Sequence, residues 1–421
     1  MRLVYILATW LVFPFLWPVL SAMRKTRAGV WQRLGFFPPG LVPEGGSPRL
    51  WLHGASAGDL LSLSPMIERL RARFPHARII VSTITDTGHL MATGRLHGLI
   101  DAVVYAPWDL LGATRRAARA LRADLLVLEY AELWPNLIAA VHGAGGRVAL
   151  TNGRFSPEQV PRYRALFALV GNPLLTIDLL LMREPEEAER ALALGAPPER
   201  VLATGNTKFD ALATLDAAPE DGALRTALGL EPGDRVWIAG STHEGEEGLL
   251  LAAYRELLAG APDLRLVLAP RYLDRAERVQ ALATRAGFEV ARRSQGNPGR
   301  APVVVLDSIG ELARAYRLAT LVFVGGSFTT RGGQNILEPA AHGKPVFFGP
   351  HMENFRDSVQ VLVGRGGIQV KDAGHLAKVM GELLARPESL RALGALARST
   401  VQSISGASDR NVEALGRLVR G

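Results

Sequence analysis

Asp59 directly follows Gly54-Ala55-Ser56-Ala57-Gly58, a run of small residues after the apolar stretch Leu50 to His53. A carboxylate where a strand ends can take a proton from a hydroxyl, and small neighbours let a substrate approach closely. A bland role as loop or helix-capping Asp is the competing reading. G-x-S-x-G also matches the hydrolase nucleophile elbow, with Ser56 as nucleophile. Against this, such an elbow normally follows several strands, and here it follows the first. A second acidic group, Glu129 and Glu132 beside Trp134 and Pro135, ends another apolar stretch; strand alternation turns Glu129 away from its neighbour Tyr130. Lys208, in Gly205-Asn206-Thr207-Lys208-Phe209-Asp210, offers a cation to a developing negative charge. Asn152-Gly153-Arg154 forms either an anion contact or a surface turn.

Phosphate-type loops fill the second half. Gly240-Ser241-Thr242-His243 closes a strand with small hydroxyl residues, Pro270-Arg271 closes the next, and Ile309-Gly310-Glu311 opens a helix. Gly325-Gly326-Ser327 and Gly332-Gly333-Gln334-Asn335-Ile336-Leu337-Glu338-Pro339 join flexible loops to a helix N-terminus, whose amides can meet a phosphate. Glu338 can accept two ribose hydroxyls. Each loop alone is a weak signal; together, at successive strand ends, they point to a nucleotide. No G-x-G-x-x-G or G-x-x-x-x-G-K-[ST] occurs, and His243-Glu244 has Glu247 where a zincin needs its second His. There is no Asp-x-Asp pair to hold a nucleotide-sugar's metal ion. A transferase built this way is expected to work without a metal or other cofactor.

The elements that must position these residues alternate. Strands are expected over Leu50–His53, Arg78–Thr83, Val103–Tyr105, Leu125–Glu129 and Val148–Leu150. The alternation resumes over Val236–Ala239, Leu264–Ala269, Val303–Leu306, Leu321–Val324 and Pro345–Phe348. Helices fall between them, the first with Ser64 as N-cap and Pro65 at its first position, and the tail from Ala373 is helical. Short β-branched runs separated by helices mean parallel sheets covered on both faces. The expected architecture is α/β, two Rossmann-like halves facing across a cleft, residues 23–211 and 212–421, the second carrying the nucleotide loops. Leu212 to Gly233 joins them. With 421 residues, 48% hydrophobic, each half can bury its own core. Cysteine is absent, which excludes disulfides, thiol catalysis and Cys-ligated metals. The net charge of +8 favours anionic partners, but aromatics at 7% without interleaved basic runs argue against nucleic acid.

Residues 1–22 suggest which anion. Leu3 to Ala22 is uncharged over about 20 residues, the length that spans a bilayer, with Arg24, Lys25, Arg27 and Arg33 following. Pro14 and Pro18 make an obliquely inserted, monotopic anchor a close alternative, with Trp10 and Trp17 at the interface. A cleaved signal peptide would have a poor site, because Leu20 stands where a small residue is wanted. The expectation is an anchor with the body on the cytoplasmic side of the inner membrane.

Taken in order, HGASAGD, ELWPN, TGNTKFD, GSTHEGEE, APR, SIGEL, VGGS and GGQNILEPAAHGKPVFFGPH resemble the Kdo (3-deoxy-D-manno-octulosonic acid) transferases. The resemblance implies a GT-B fold, CMP-Kdo as donor, an inverting transfer without a metal, a lipid A precursor as acceptor, and lipopolysaccharide biosynthesis. It places Asp59, Glu132 and Lys208 in the catalytic set. Ser241, Pro270, Arg271, Ile309, Gly310, Glu311, Asn335, Ile336, Leu337 and Glu338 become nucleotide contacts. Departures from the family's pattern are Asp59 in place of a Glu, Tyr130-Ala131-Glu132 in place of Glu-Thr-Glu, Gln334 in place of a His, and Met182-Arg183 in place of Ala-Gln. The Tyr130 hydroxyl is expected to hold the shorter carboxylate of Asp59. The rival readings are a serine hydrolase using Ser56 and a degenerate paralogue that binds nucleotide or lipid without turnover.

Overall fold

The computed structural model describes residues 2–22, 28–210, 221–296 and 298–420. Arg24, Lys25 and Arg27, and residues 212–220 of the expected connection, lie outside the described residues. The chain forms two units: Met1–Ala211 together with Ser405–Gly421, and Leu212–Ile404. The expected second half, 212–421, therefore ends too late, because its last segment belongs to the first unit.

The first unit is built on seven parallel strands: β1 (Arg49–His53), β2 (Arg78–Thr83), β3 (Ala102–Tyr105), β4 (Leu125–Glu129), β5 (Arg147–Gly153), β6 (Leu179–Met182) and β7 (Val201–Ala203). Their order is β3-β2-β1-β4-β5-β6-β7. Alternation along β1 sends Leu50 and Leu52 into one buried cluster with Leu63, Ile67 and Leu70. Trp51 enters the opposite one, with Leu137 and Ile138. Both faces are thus covered, as an all-parallel sheet requires. The chain starts at β1 and adds strands to either side of it, so the switch point lies between β1 and β4, where ligands of such sheets bind.

The second unit repeats the plan with β8 (Val236–Thr242), β9 (Arg265–Pro270), β10 (Val290–Arg292), β11 (Val303–Val305), β12 (Leu321–Val324), β13 (Val346–Phe348) and β14 (Gly367–Gln369). The order β10-β11-β9-β8-β12-β13-β14 puts its switch point between β8 and β12. The sequence reading missed β6, β7, β10 and β14. Three of these are three-residue edge strands with no measurable periodicity, and Leu-Leu-Leu-Met in β6 has no β-branched residue to separate strand from helix.

Two further expectations change. The first long helix is Ala57–Arg73, capped by Ser56, so Pro65 lies inside it rather than at its start. Arg33 is buried: it donates to the carbonyls of Ala28 and Ile84 and sits over the Tyr105 ring, so it presents no charge to a membrane. Among the described residues no helix is long and apolar enough to cross a membrane, which leaves the spanning form of the anchor without support. Helix Arg2–Ala22 instead lies along the first unit. Tyr5 donates to Asp109 at 2.7 Å, and the rings of Phe13, tilted, and Trp17, edge-on, each lie 5.1 Å from that of Trp108.

The returning helix, Ala407–Arg420, buries Val412 and Leu415 against the helix that starts at Ala57. Asp210 fixes its start: Oδ1 accepts from the amides of Gly406 (2.6 Å) and Ala407 (3.1 Å), and Oδ2 from that of Ser408. These are helix N-terminal amides without intrahelical partners. Asp210→Ala is therefore expected to lower stability by about 2 kcal/mol, seen as a drop of several degrees in the thermal midpoint and faster proteolysis near residue 405. An unchanged midpoint would show that the cap contributes nothing.

Candidate functional sites at the two switch points

In the first unit Asp59 is the third residue of its helix and completes a capping box. The Ser56 amide donates to Asp59 Oδ2 at 2.8 Å, and the Asp59 amide donates to Ser56 Oγ at 3.4 Å. Among the described residues Oδ1 accepts no hydrogen bond, and the side chain is half-exposed. Capping therefore commits Oδ2 and leaves Oδ1 open. Ser56 has an extended backbone, φ −128° and ψ 170°, with its hydroxyl committed to the cap. A nucleophile elbow needs a strained turn, so the hydrolase reading falls.

Across the switch point, at the end of β4, Glu132 accepts from Trp134 Nε1 at 2.8 Å, and burial pushes its carboxyl up. Its Oε2 lies 3.9 Å from His53 Nε2. His53 is buried, and desolvation pushes it down to about 4, so the ring is neutral at pH 7. Ser82 Oγ, which accepts from Trp51 Nε1 at 2.7 Å, lies 2.9 Å from His53 Nδ1. If that hydroxyl donates to Nδ1, the remaining proton sits on Nε2 and faces Glu132. The sequence reading gave His53 no role.

Lys208 stands exposed on the single turn Thr207–Phe209, where Asn206 Oδ1 accepts from its amide at 3.1 Å. Asn152 holds this turn: Oδ1 accepts from the Thr207 amide at 3.0 Å, and Nδ2 donates to Thr207 Oγ1 at 2.7 Å. Thr207 Oγ1 donates onward to Ser62 O at 2.8 Å, one helical turn beyond Asp59. Asn152 is thus a buried strut, neither an anion contact nor a surface turn, and only Arg154 of that loop is exposed. Tyr130 donates to Ser62 Oγ at 3.2 Å, so its hydroxyl braces the helix of Asp59 and not the carboxylate. Tyr130 and Asn152 have φ of +56° and +50°. Such backbone is costly for a bulky residue and gathers at functional sites.

In the second unit Ser241, at φ +54°, ends β8 half-exposed. The phosphate role expected of its loop and of Gly325-Gly326-Ser327 meets an obstacle. Glu246, buried at the start of helix Glu246–Leu258, already accepts from the amides of His243 (2.8 Å), Gly326 (2.7 Å), Ser327 (3.0 Å) and Phe328 (2.9 Å). Those donors are spent, and a carboxylate stands where a phosphate was expected. Pro270 is buried, whereas Arg271 is exposed with its guanidinium 5.9 Å from the Tyr272 ring.

Ile309 is 88% exposed, the most exposed large apolar side chain described, beside Gly310 at φ +79°. Glu311 pairs with Arg293 at 3.2 Å and accepts from Ser308. Asn335 Oδ1 accepts from the Leu337 amide at 3.1 Å, and Ile336 and Leu337 point into the core. Glu338 is half-buried, and desolvation pushes its carboxyl up. Gly333, at φ +77°, packs so closely on Met352 that a Cβ would meet its Sδ at 2.3 Å. The expected residues thus gather within one unit, though Gly310, Ile336 and Leu337 offer only backbone and Pro270 is buried.

The α/β plan is shared with a UDP-GlcNAc 2-epimerase from Neisseria meningitidis, solved with UDP-GlcNAc (TM-score 0.61, 12% identity, 88% of this chain and 100% of that one). That likeness concerns the fold. Sequence relatives are more specific. The 3-deoxy-D-manno-octulosonic acid transferase of Haemophilus influenzae is 32% identical over 91% of this chain and 90% of its own length. Its counterpart in Bordetella pertussis is 31% identical over 98% of each. The family model described as 3-deoxy-D-manno-octulosonic-acid transferase (kdotransferase) matches residues 28–211, which carry Asp59, Glu132 and Lys208. The chain therefore belongs to the Kdo transferase family of glycosyltransferases.

Proposed function

We propose that this protein transfers Kdo, or a closely related sugar, from a CMP-sugar to a lipid A precursor in lipopolysaccharide synthesis, with inversion and with no step assigned to a metal. The observation that carries the reading is the near-full-length kinship with Kdo transferases, joined to one bracing network beneath Asp59 and Lys208. Asp59 Oδ1 takes the proton of the acceptor hydroxyl as its oxygen bonds to the anomeric carbon. The bond from that carbon to the phosphate oxygen breaks, and CMP leaves with an added negative charge. The donor is held by the second unit. Because Glu246 occupies the amides of Gly326 and Ser327, Arg271 and the loop amides near Asn335 are the groups assigned to the phosphate. Ile309 lies against the base, and Glu338 accepts from the ribose hydroxyls. Lys208 answers charge developing on the sugar.

Helix Arg2–Ala22 supplies the membrane contact. Val4, Leu7, Leu11 and Phe15 recur at helical spacing and are 47–78% exposed as part of the row that includes Trp10 and Val12. Tyr5, Phe13 and Trp17 face the protein. A helix pinned on one side and apolar on the other suits an in-plane, monotopic seat at the inner membrane, where a lipid acceptor is found.

Two measurements test this. Asp59→Asn should reduce transfer by about 10²–10⁴-fold while leaving CMP affinity by titration calorimetry unchanged; full turnover would remove Asp59 from the reaction. Leu11→Glu with Phe15→Glu should weaken sedimentation with anionic phospholipid vesicles by at least about 100-fold, from roughly 1.5–3 kcal/mol per side chain. Undiminished binding would place the membrane contact elsewhere.

A further inference from the structure

One buried acid at the first switch point has no part in that mechanism. Glu129 ends β4 with 0% exposure. Its Oε2 accepts from Asn152 Nδ2 at 2.9 Å, the same amide group that reaches Thr207. Its Oε1 lies 2.5 Å from Thr151 Oγ1, and that hydroxyl also faces Leu128 O at 3.3 Å. Thr151 has one proton for two acceptors. Both contacts are satisfied only when the carboxyl brings a proton of its own, donating to Thr151 Oγ1 while Thr151 donates to Leu128 O.

We propose that Glu129 is a positioning residue that works as the neutral acid, holding Asn152 and Thr207, and through them the Lys208 turn, against the helix that carries Asp59. This rests on the transfer reaction assigned above. The groups facing it are Thr151 and Asn152 on β5, which do not titrate, and the charge of Asp59; Tyr130 follows it in the chain and is itself influenced by Arg183. Burial pushes the Glu129 carboxyl up to about 8, against the hydrogen bonds of Thr151 and Asn152, which favour the charged form, and with the charge of Asp59 adding a smaller upward push. Ionisation above that pH leaves Thr151 facing two acceptors and sets a second negative charge beside the proposed base. The proton is held only in the folded state, so this group's contribution to stability fades as pH rises from the ordinary carboxylate range towards 8.

The test is the pH profile of kcat in the full chain. In the native protein the rate should fall about tenfold between pH 7 and 9, as a group titrating near 8 loses its proton. Glu129→Gln copies the neutral acid and should remove that fall, raising the pH 9 to pH 7 ratio about tenfold. A folded Gln variant that keeps the alkaline fall, or that is inactive at every pH, overturns the proposal. Glu129→Leu stays neutral but breaks the strut, and should lower kcat at least tenfold with little change in KM for the donor. A loss confined to KM would also overturn it.

A readout independent of transfer is the infrared carbonyl band of a protonated carboxyl. It should be present at pH 7, fade towards pH 9, and be missing in Glu129→Gln even if that variant is destabilised. Its absence from the native protein sinks the neutral acid. A native protein that shows the band but transfers no Kdo sinks the assigned reaction instead.

Discussion

Backbone amides at the carboxyl ends of two parallel sheets need acceptors, and buried acids supply them. Glu246 takes four amides and ties the loops after β8 and β12 together. Asp210 takes three at the start of the returning helix. Asp109 takes two, from Asn136 and Leu137, where the Trp134-Pro135 turn enters its helix. An unmet buried amide costs about 1–3 kcal/mol. These carboxylates therefore set the shape of the loops before any ligand is considered.

The same arrangement sorts the charges. Acids turned inward to serve amides cannot repel a phosphorylated ligand from the surface, while Lys208, Arg154 and Arg271 remain exposed at strand ends. Glycine loops suggest amide cradles, yet at Gly326 and Ser327 the amides serve the fold.

Much of this was legible in the chain itself. Ten of the strands carried buried β-branched or apolar runs, and the motifs fell at their ends because parallel α/β sheets put their loops there. What escaped had physical reasons. Edge strands of three residues have no period to read. Ser64-Pro65 resembled a helix start, but Ser56 three residues before Asp59 made the better box. Glu129 was turned away by strand alternation, a rule that lapses where the chain goes left-handed at Tyr130. The role of Glu246 had little local signal, since three of its four partners lie about eighty positions along the chain and only His243 is near.

Left-handed backbone at Tyr130 also shapes the bracing of the site. With φ at +56°, residue 130 aims its side chain at the helix Ala57–Arg73, and a tyrosine reaches Ser62 Oγ. The neighbouring position then carries a carboxyl, Glu129, whose burial costs free energy unless its polar atoms are met. Thr151 and Asn152 meet them, and Asn152 at φ +50° is itself strained. Strain of roughly 1–3 kcal/mol at each of two residues persists only where surrounding contacts over-determine it. Here those contacts converge on Ser62 and Thr207, the two points that fix the helix of Asp59 and the turn of Lys208. Tyr130 and Glu129 thus serve a single bracing network, which holds the helix of Asp59 and the turn of Lys208.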